Sequence, residues 1–256
     1  MSTATSASSP GILLGAALGV VAFFIPFVRF VLSYLNVLVH EFGHSATAWA
    51  LGYPSVPAFD WRYGGGVAIH GERSMLVMFV IGALFLWRLV ALAEHPGPRN
   101  RLLGLGVLYV IVLMTPLDEA LRLSMGHGME LIIAGVFLFR ALTGEAIIES
   151  AERPLYAMCG VFMLICNASL AWGLMHSDVA RDAYGMQKGG GHVGDLSRLA
   201  KDVFYVPLEL TGAALFLATF LTPIAAYVVA ARFDARAQRA AAEEARQRTP
   251  WRMASP

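Results

Sequence analysis

The side chains best suited to chemistry are His40, Glu41 and His44, which form the pattern H-E-x-x-H within one apolar stretch. Two His residues four positions apart lie one turn apart on the same face of a helix, so both imidazoles can bind one zinc ion. The Glu between them can act as general base on a water at that metal. Bound zinc lowers the pKa of such a water to about 7. We therefore predict a Zn2+ site with His40 and His44 as ligands and Glu41 as the catalytic base.

The composition surrounding this motif is typical of a membrane protein. Of 256 residues, 57% are hydrophobic and 14% are charged, against roughly 45–50% and 25% in soluble domains. Ionisable groups are rare and usually functional inside membrane spans, which favours a metal site at the motif. The alternative interpretation of the motif is a buried histidine pair with Glu41 paired to an arginine. Because 19 Lys+Arg balance 18 Asp+Glu, there is no basic field for phosphates, and no nucleic-acid partner is expected.

Stretches of about 20 apolar residues predict transmembrane helices. We expect an all-α polytopic membrane protein with six or seven of them, at about 11–28, 30–51, 74–93, 102–117, 129–143, 154–176 and 203–231. A single helix through the first two would be roughly 60 Å long, so a break is predicted near Pro26–Arg29. Residues 1–10 are expected to be disordered, residues 11–231 to form the membrane-embedded domain, and residues 232–256 to form an Arg-rich tail.

The arginines of the tail predict the orientation of the chain. Positive charge next to a span favours the cytoplasmic side, so we expect the 232–256 tail to be cytoplasmic. Alternation of the spans then puts the motif, segment 52–73 and the expected loops 118–128 and 177–202 on the opposite face. Loop 177–202 is Gly-rich around Gly189–Gly191 and is predicted to be mobile. We expect an integral protein of a bacterial inner membrane.

The motif and the residues that follow it, Ala46, Ala48, Ala50 and Leu51-Gly52, resemble the active-site helix of the site-2 protease family of intramembrane zinc metalloproteases. The resemblance is strongest to the compact bacterial branch that lacks a PDZ domain. It implies cleavage of a membrane-spanning or membrane-edge protein substrate within or near the lipid bilayer. It also implies a short β-hairpin after the active-site helix, and residues 53–60 and 61–70 indicate two extended pieces around Gly-rich turns.

The third zinc ligand is left open by the sequence. A catalytic zinc site has three protein ligands and one open position, and the family's third ligand is the Asp of an L-D-G motif, which this chain lacks. Asp195, just before the last predicted span, is our first choice. The alternatives on the same predicted face are Asp118, His127, Glu130 and His192. Each of the two aspartates could instead cap a helix.

Two asparagines are weaker candidates for supporting roles. Asn36 lies one turn before His40 and could accept a hydrogen bond from a ligating imidazole. Asn167 lies in the sixth predicted span, and the resemblance implies a membrane Asn that polarises a substrate carbonyl. Asn36 could equally be a packing contact between helices, and for Asn167 a buried hydrogen bond between helices is the favoured interpretation.

Two other functions are compatible with the motif. One is a membrane zinc protease of the kind that trims prenylated proteins, whose third ligand is a Glu, with Glu145 and Glu149 as candidates. These two residues lie on the face predicted to be opposite the motif, which counts against that reading. The other is a catalytically silent metal-binding scaffold, since a fold does not by itself imply a function.

Overall fold

The structure is a computed structural model that describes residues 9–60, 65–186 and 193–248. Within these ranges the chain is mainly helical and includes one two-stranded sheet. In chain order the elements are α1 (Ser9–Phe24), α2 (Pro26–Ala50), β1 (Ser55–Asp60), β2 (Gly65–His70), α3 (Met75–Ala91), α4 (Pro96–Leu113), α5 (Leu117–Thr143), α6 (Glu152–His176), α7 (Asp178–Gly185), α8 (Asp195–Arg198), a π-helical turn (Leu199–Phe204) and α9 (Leu208–Arg248).

Several helices are suited to a membrane. In the described part of the chain, α5, α6 and residues 208–246 of α9 are long and apolar enough to cross a bilayer, and α1 and α2 meet the same standard as a bent pair. This gives three spans, or four if the pair is one span. By length and composition, the described residues thus contain fewer candidate membrane spans than the six or seven predicted. Helix α3 has only 17 residues, and α4 carries Arg99 and Arg101 in its first turns.

The helical conformation is interrupted between α1 and α2. The break falls at Ile25, one residue before the interval in which the length of the apolar stretch predicted it. Pro26 opens α2, a position where its missing N–H leaves no hydrogen bond unmade. The motif therefore lies on the second limb of a broken span or re-entrant segment.

The predicted hairpin is present directly after the motif helix. Strands β1 and β2 pair antiparallel, from Ser55 opposite His70 to Asp60 opposite Gly65. Two hydrogen bonds attach β1 to α2: the Trp49 indole N–H donates to the Ser55 carbonyl at 2.7 Å, and the Ser55 hydroxyl donates to the Ser45 hydroxyl at 3.0 Å. The hairpin is thus held against the helix that carries the motif.

Two predicted loops are wrong in part. Residues 118–128 are not a loop but the first turns of α5, in which the polar residues Asp118 and Arg122 lie one turn apart. Segment 177–202 contains α7, α8 and part of the π-helical turn. The glycines at 189–191 lie outside the described residues.

The chain divides into two compact units. One consists of residues 27–130 and 167–217 and includes the motif helix, the hairpin and the residues around Asp195. The other includes α1, residues 131–166 and the chain from residue 218 onward. Its α9 continues as a largely exposed helix from Arg232 through Arg246, within the segment predicted to be an Arg-rich tail, and α1 begins at Ser9, inside the segment predicted to be disordered.

Candidate metal centre

Three potential ligand atoms converge within the unit that contains the motif. Nε2 of His40 and Nε2 of His44 lie 3.0 Å apart, and Oδ2 of Asp195 lies 3.1 Å from the first and 3.2 Å from the second. A triangle of this size would let one ion contact all three atoms at about 2.0–2.1 Å. These three residues form one of the two groups that could hold a metal among the described residues.

The protons in this cluster can be assigned from the other ring nitrogens. Nδ1 of His44 lies 2.6 Å from the Arg122 carbonyl oxygen, and Nδ1 of His40 lies 2.8 Å from Oε1 of Glu130. Because a carbonyl and a carboxylate only accept, both Nδ1 atoms carry the proton and donate. In the neutral rings, both Nε2 atoms therefore present lone pairs to each other and to the Asp195 carboxylate.

This arrangement of three acceptors fits a divalent cation. Lone pairs and a carboxylate at 3.0–3.2 Å repel one another unless a proton or a metal lies between them. Ligating histidines usually donate their second N–H to a carboxylate or backbone carbonyl, and these are the partners of His40 and His44. The N2O donor set, with an open side, suits zinc.

Asp195 is positioned by its neighbours on both sides. The N–H of Leu196 donates to the Tyr184 hydroxyl at 3.3 Å, and Arg198 pairs with Glu119 at 3.0 Å, near the start of α5. A Cβ at Gly194 would overlap the Tyr184 ring, so a glycine is needed there. Burial alone would raise the pKa of the Asp195 carboxyl. Hydrogen bonds from His40 and His44, which Nε2 can donate only when the ring is protonated on both nitrogens, outweigh burial and hold that pKa well below its ordinary value.

Glu41 lies against the hairpin. Its side chain is buried, and a Cβ built on Gly66 of β2 would lie 2.6 Å from Oε1 of Glu41 and 2.8 Å from its Cδ. Residue 66 must therefore be glycine for the strand to pass so close to the carboxylate. Glu41 is not itself one of the converging ligands.

Two glycines bring α2 and α5 together. A Cβ at Gly43, inside the motif, would overlap the Met125 carbonyl oxygen and would lie 2.6 Å from the Met129 Cβ. A Cβ at Gly126 would lie 2.5 Å from Nε2 of His40 and closer still to Nε2 of His44. Gly126 is a residue of this cluster that was not predicted from the sequence. Its one local signal is that it precedes His127 and Glu130 in the segment G-H-G-M-E.

Asp118, an alternative third ligand, lies in a different cluster. Its Oδ1 accepts from Nε of Arg122 at 2.7 Å, and its Oδ2 accepts from Arg73 and from the Tyr53 hydroxyl. Both guanidinium groups also lie over the Tyr53 ring, at 4.8 Å and 4.4 Å. With both oxygens engaged by cations, Asp118 belongs to neither described group that could hold a metal.

The remaining residues predicted from the sequence differ in whether they lie near a group that could hold a metal. His127 and Glu130 form, with His40, the second group that could hold a metal, and Asn167 contacts both of them. Asn36 is buried, but its Oδ1 has no hydrogen-bond partner among the described residues. His192 lies outside the described residues. Glu145 and Glu149 are exposed and belong to neither group.

Comparison with protein-family models, with curated proteins and with solved structures gave no match for this chain. The resemblance to the site-2 protease family therefore depends on the motif residues alone. What is observed directly is a helical chain with membrane-span-like helices and two groups of side chains that could hold a metal ion.

Proposed function

We propose that this protein is an intramembrane zinc endopeptidase. The observation that carries the proposal is the convergence of Nε2 of His40, Nε2 of His44 and Oδ2 of Asp195, three potential ligand atoms that lie 3.0–3.2 Å from one another. An H-E-x-x-H helix with a third carboxylate ligand is the donor set of many zinc hydrolases. The substrate is a membrane-spanning or membrane-edge protein.

In this proposal, a zinc ion held by His40, His44 and Asp195 supplies Lewis acidity and an acidified water. Glu41 takes one proton from the water whose oxygen adds to the scissile carbonyl carbon. When the C–N bond breaks, Glu41 returns that proton to the departing amine nitrogen, so atoms and charge balance. The Glu41 side chain is buried and lies against Gly66 of β2, which holds its carboxylate in place for both proton transfers.

The hairpin provides a place for the substrate backbone. An extended peptide can add to the free edge of a strand through main-chain hydrogen bonds. Because β2 passes over Glu41 at Gly66, a peptide held along this hairpin lies near the proposed base. A substrate helix would have to unwind to reach it.

The membrane setting completes the proposal. The six or seven membrane segments expected from the sequence are α1, α2, α3, α4, α5, α6 and α9. There are six if α1 and α2 together form one span. The Arg-rich end of the chain is cytoplasmic, and the membrane is a bacterial inner membrane. A bilayer lowers the local dielectric and strengthens the electrostatic contacts at the site.

The test is the Glu41→Gln variant of the full chain, purified in detergent and reconstituted into vesicles. Zinc content is measured by elemental analysis, and cleavage is measured on fluorogenic reporters that carry a transmembrane segment. We expect Glu41→Gln to retain zinc and to lose at least about 100-fold of the cleavage rate. Glu72→Gln, at an exposed glutamate beyond the hairpin, is the matched control and should cleave normally.

Undiminished cleavage by Glu41→Gln would contradict the proposal. Zinc-loaded wild-type protein that cleaves no reporter would instead favour the silent metal-binding scaffold. Equal zinc in wild type and His44→Ala would show that the metal, if bound, is held elsewhere.

A further inference from the structure

A chain of buried polar side chains extends from the proposed zinc site into α5 and α6. Asn167 is 1% exposed, Glu130 6% and His127 8%. Polar groups so deeply buried are costly unless they are hydrogen-bonded, and a buried carboxylate more so. The helices around them are candidate membrane spans, where ionisable residues are usually functional.

Each contact in this chain matches one donor with one acceptor. His127 Nδ1–H donates to Oδ1 of Asn167 at 3.0 Å, and the Asn167 Nδ2 donates to Oε2 of Glu130. The other oxygen of Glu130, Oε1, accepts from Nδ1 of His40 at 2.8 Å. Both oxygens of Glu130 are therefore engaged as acceptors, which is the arrangement of an ionised carboxylate.

This pairing argues against a metal bound by His40, His127 and Glu130. The closest approach within that trio, between His40 and Glu130, has the length of an ordinary N–H···O bond. The Nδ1 of His127 is bound to Asn167 at 3.0 Å and is 3.5 Å from Glu130. The atoms form a directed hydrogen-bond chain, whereas the His40, His44 and Asp195 trio brings acceptors together.

We propose that Glu130 and Asn167 are positioning residues that hold His40 ready to bind zinc, an inference that rests on the zinc site proposed above. Glu130 fixes the proton of His40 on Nδ1, so that the Nε2 lone pair faces His44 and Asp195. Its negative charge also makes that imidazole a stronger donor to a metal. Asn167 in turn fixes the rotamer of Glu130 by occupying its second oxygen. In this proposal Glu130 contacts a zinc ligand, His40, and Asn167 contacts Glu130.

The experiment measures zinc affinity of the full-length protein in detergent by competition with a chromophoric chelator. The variants are Glu130→Ala, Glu130→Gln and Asn167→Ala. Loss of such supporting partners typically weakens metal binding 10- to 100-fold, so we expect Glu130→Ala and Asn167→Ala to raise the zinc Kd by about that factor at unchanged 1:1 stoichiometry. Glu130→Gln should fall between these variants and wild type, because it keeps an acceptor for His40 and loses the charge.

A matched control is Thr211→Ala, which removes a buried hydroxyl whose one hydrogen bond within the described part of the chain goes to the Leu208 carbonyl of its own helix. It should leave the zinc Kd unchanged. Cobalt substitution adds a spectroscopic readout, since the visible bands of Co2+ report ligand geometry. These bands should shift in Asn167→Ala and not in Thr211→Ala, which a general loss of stability does not predict.

The outcomes separate the two proposals. Wild type without stoichiometric zinc would overturn the proposed function itself. Zinc binding that is lost in His44→Ala but unchanged in Glu130→Ala and Asn167→Ala would overturn only the positioning role. Complete loss of zinc in Glu130→Ala, to the level of Asp195→Ala, would make Glu130 a ligand and would also overturn it. If Glu130→Ala does not fold, Glu130→Gln and Asn167→Ala carry the test.

Discussion

The α-carbon of Gly126 faces Nε2 of His44 so closely that no Cβ can be placed between them. A methyl group there would overlap His44 Nε2 and lie 2.5 Å from Nε2 of His40. The space that a side chain at residue 126 would need is thus occupied by the two imidazoles. Such a side chain would displace them, and an ion at the candidate centre must approach both Nε2 atoms to about 2.0–2.1 Å.

Gly126→Ala should therefore abolish zinc binding or weaken it by at least about 10-fold. Zinc content and chelator competition measure the effect. Gly128→Ala is the control, because its Cβ would meet only the flexible side chain of Met125. Equal zinc affinity of both variants would show that the ligand positions of His40 and His44 do not depend on a glycine at residue 126.

Gly66→Ala should reduce cleavage while leaving zinc bound. The new methyl group would displace the Glu41 carboxylate, whose Oε1 lies 2.6 Å from the position of that Cβ. Misplacement of a catalytic group by about 1 Å can cost 100-fold in rate, so we expect a 10- to 100-fold loss of kcat/KM. Gly65→Ala, with no atom within 4 Å of its Cβ, should have little effect. Similar losses in both variants would point to the hairpin as a whole.

Gly43→Ala should destabilise the fold. Its Cβ would overlap the Met125 carbonyl and lie 2.6 Å from the Met129 Cβ, so α2 and α5 would have to separate. Overpacking of this kind typically costs about 1–3 kcal/mol, visible as a lower unfolding temperature in detergent. Gly82→Ala in α3, which meets no atom within 4 Å, should be neutral or stabilising by up to about 1 kcal/mol. A Gly43→Ala protein as stable as wild type would contradict this close packing.

Two aspartate variants should have different effects: Asp195→Asn on zinc affinity and Asp118→Asn on stability. We expect Asp195→Asn to weaken zinc binding by more than 10-fold, since it removes the charged ligand. Asp118→Asn should keep zinc and lose stability, because the guanidinium groups of Arg73 and Arg122 lose their shared partner. The loss is on the order of 1–2 kcal/mol, given that both arginines are partly exposed. Zinc loss in Asp118→Asn alone would reverse the assignment.

Local patterns account for the parts of the fold that were predicted. A break near Pro26 followed from an apolar stretch too long for one span. The hairpin followed from two extended pieces around Gly-rich turns, and the register of β1 and β2 confirms it. The pairing of His40 with His44 is a consequence of helix geometry alone, since residues four apart share a face wherever the helix lies.

Average hydropathy gave a wrong prediction of a loop at a helix whose polar face is buried. The stretch from Asp118 to Gly128 is polar enough to be predicted as a loop, yet it forms the first turns of α5. Its polar groups are engaged: Arg122 offers its carbonyl to His44 and its side chain to Asp118. A window of summed hydropathy cannot distinguish polar groups that face water from polar groups that face a buried site.

The amino-acid sequence by itself determined the membrane-like character of the chain, the H-E-x-x-H helix and the hairpin after it, because each depends on neighbours within a few turns or strands. Only the tertiary structure decided the surroundings of Asp195 and of Asp118, which are both aspartates near helix starts. It brings Asp195 to His40 across 155 positions and surrounds Asp118 with two arginines. It also made Gly126, Glu130 and Asn167 part of the site. Such contacts arise from how helices pack, and a single sequence contains no local signal for them.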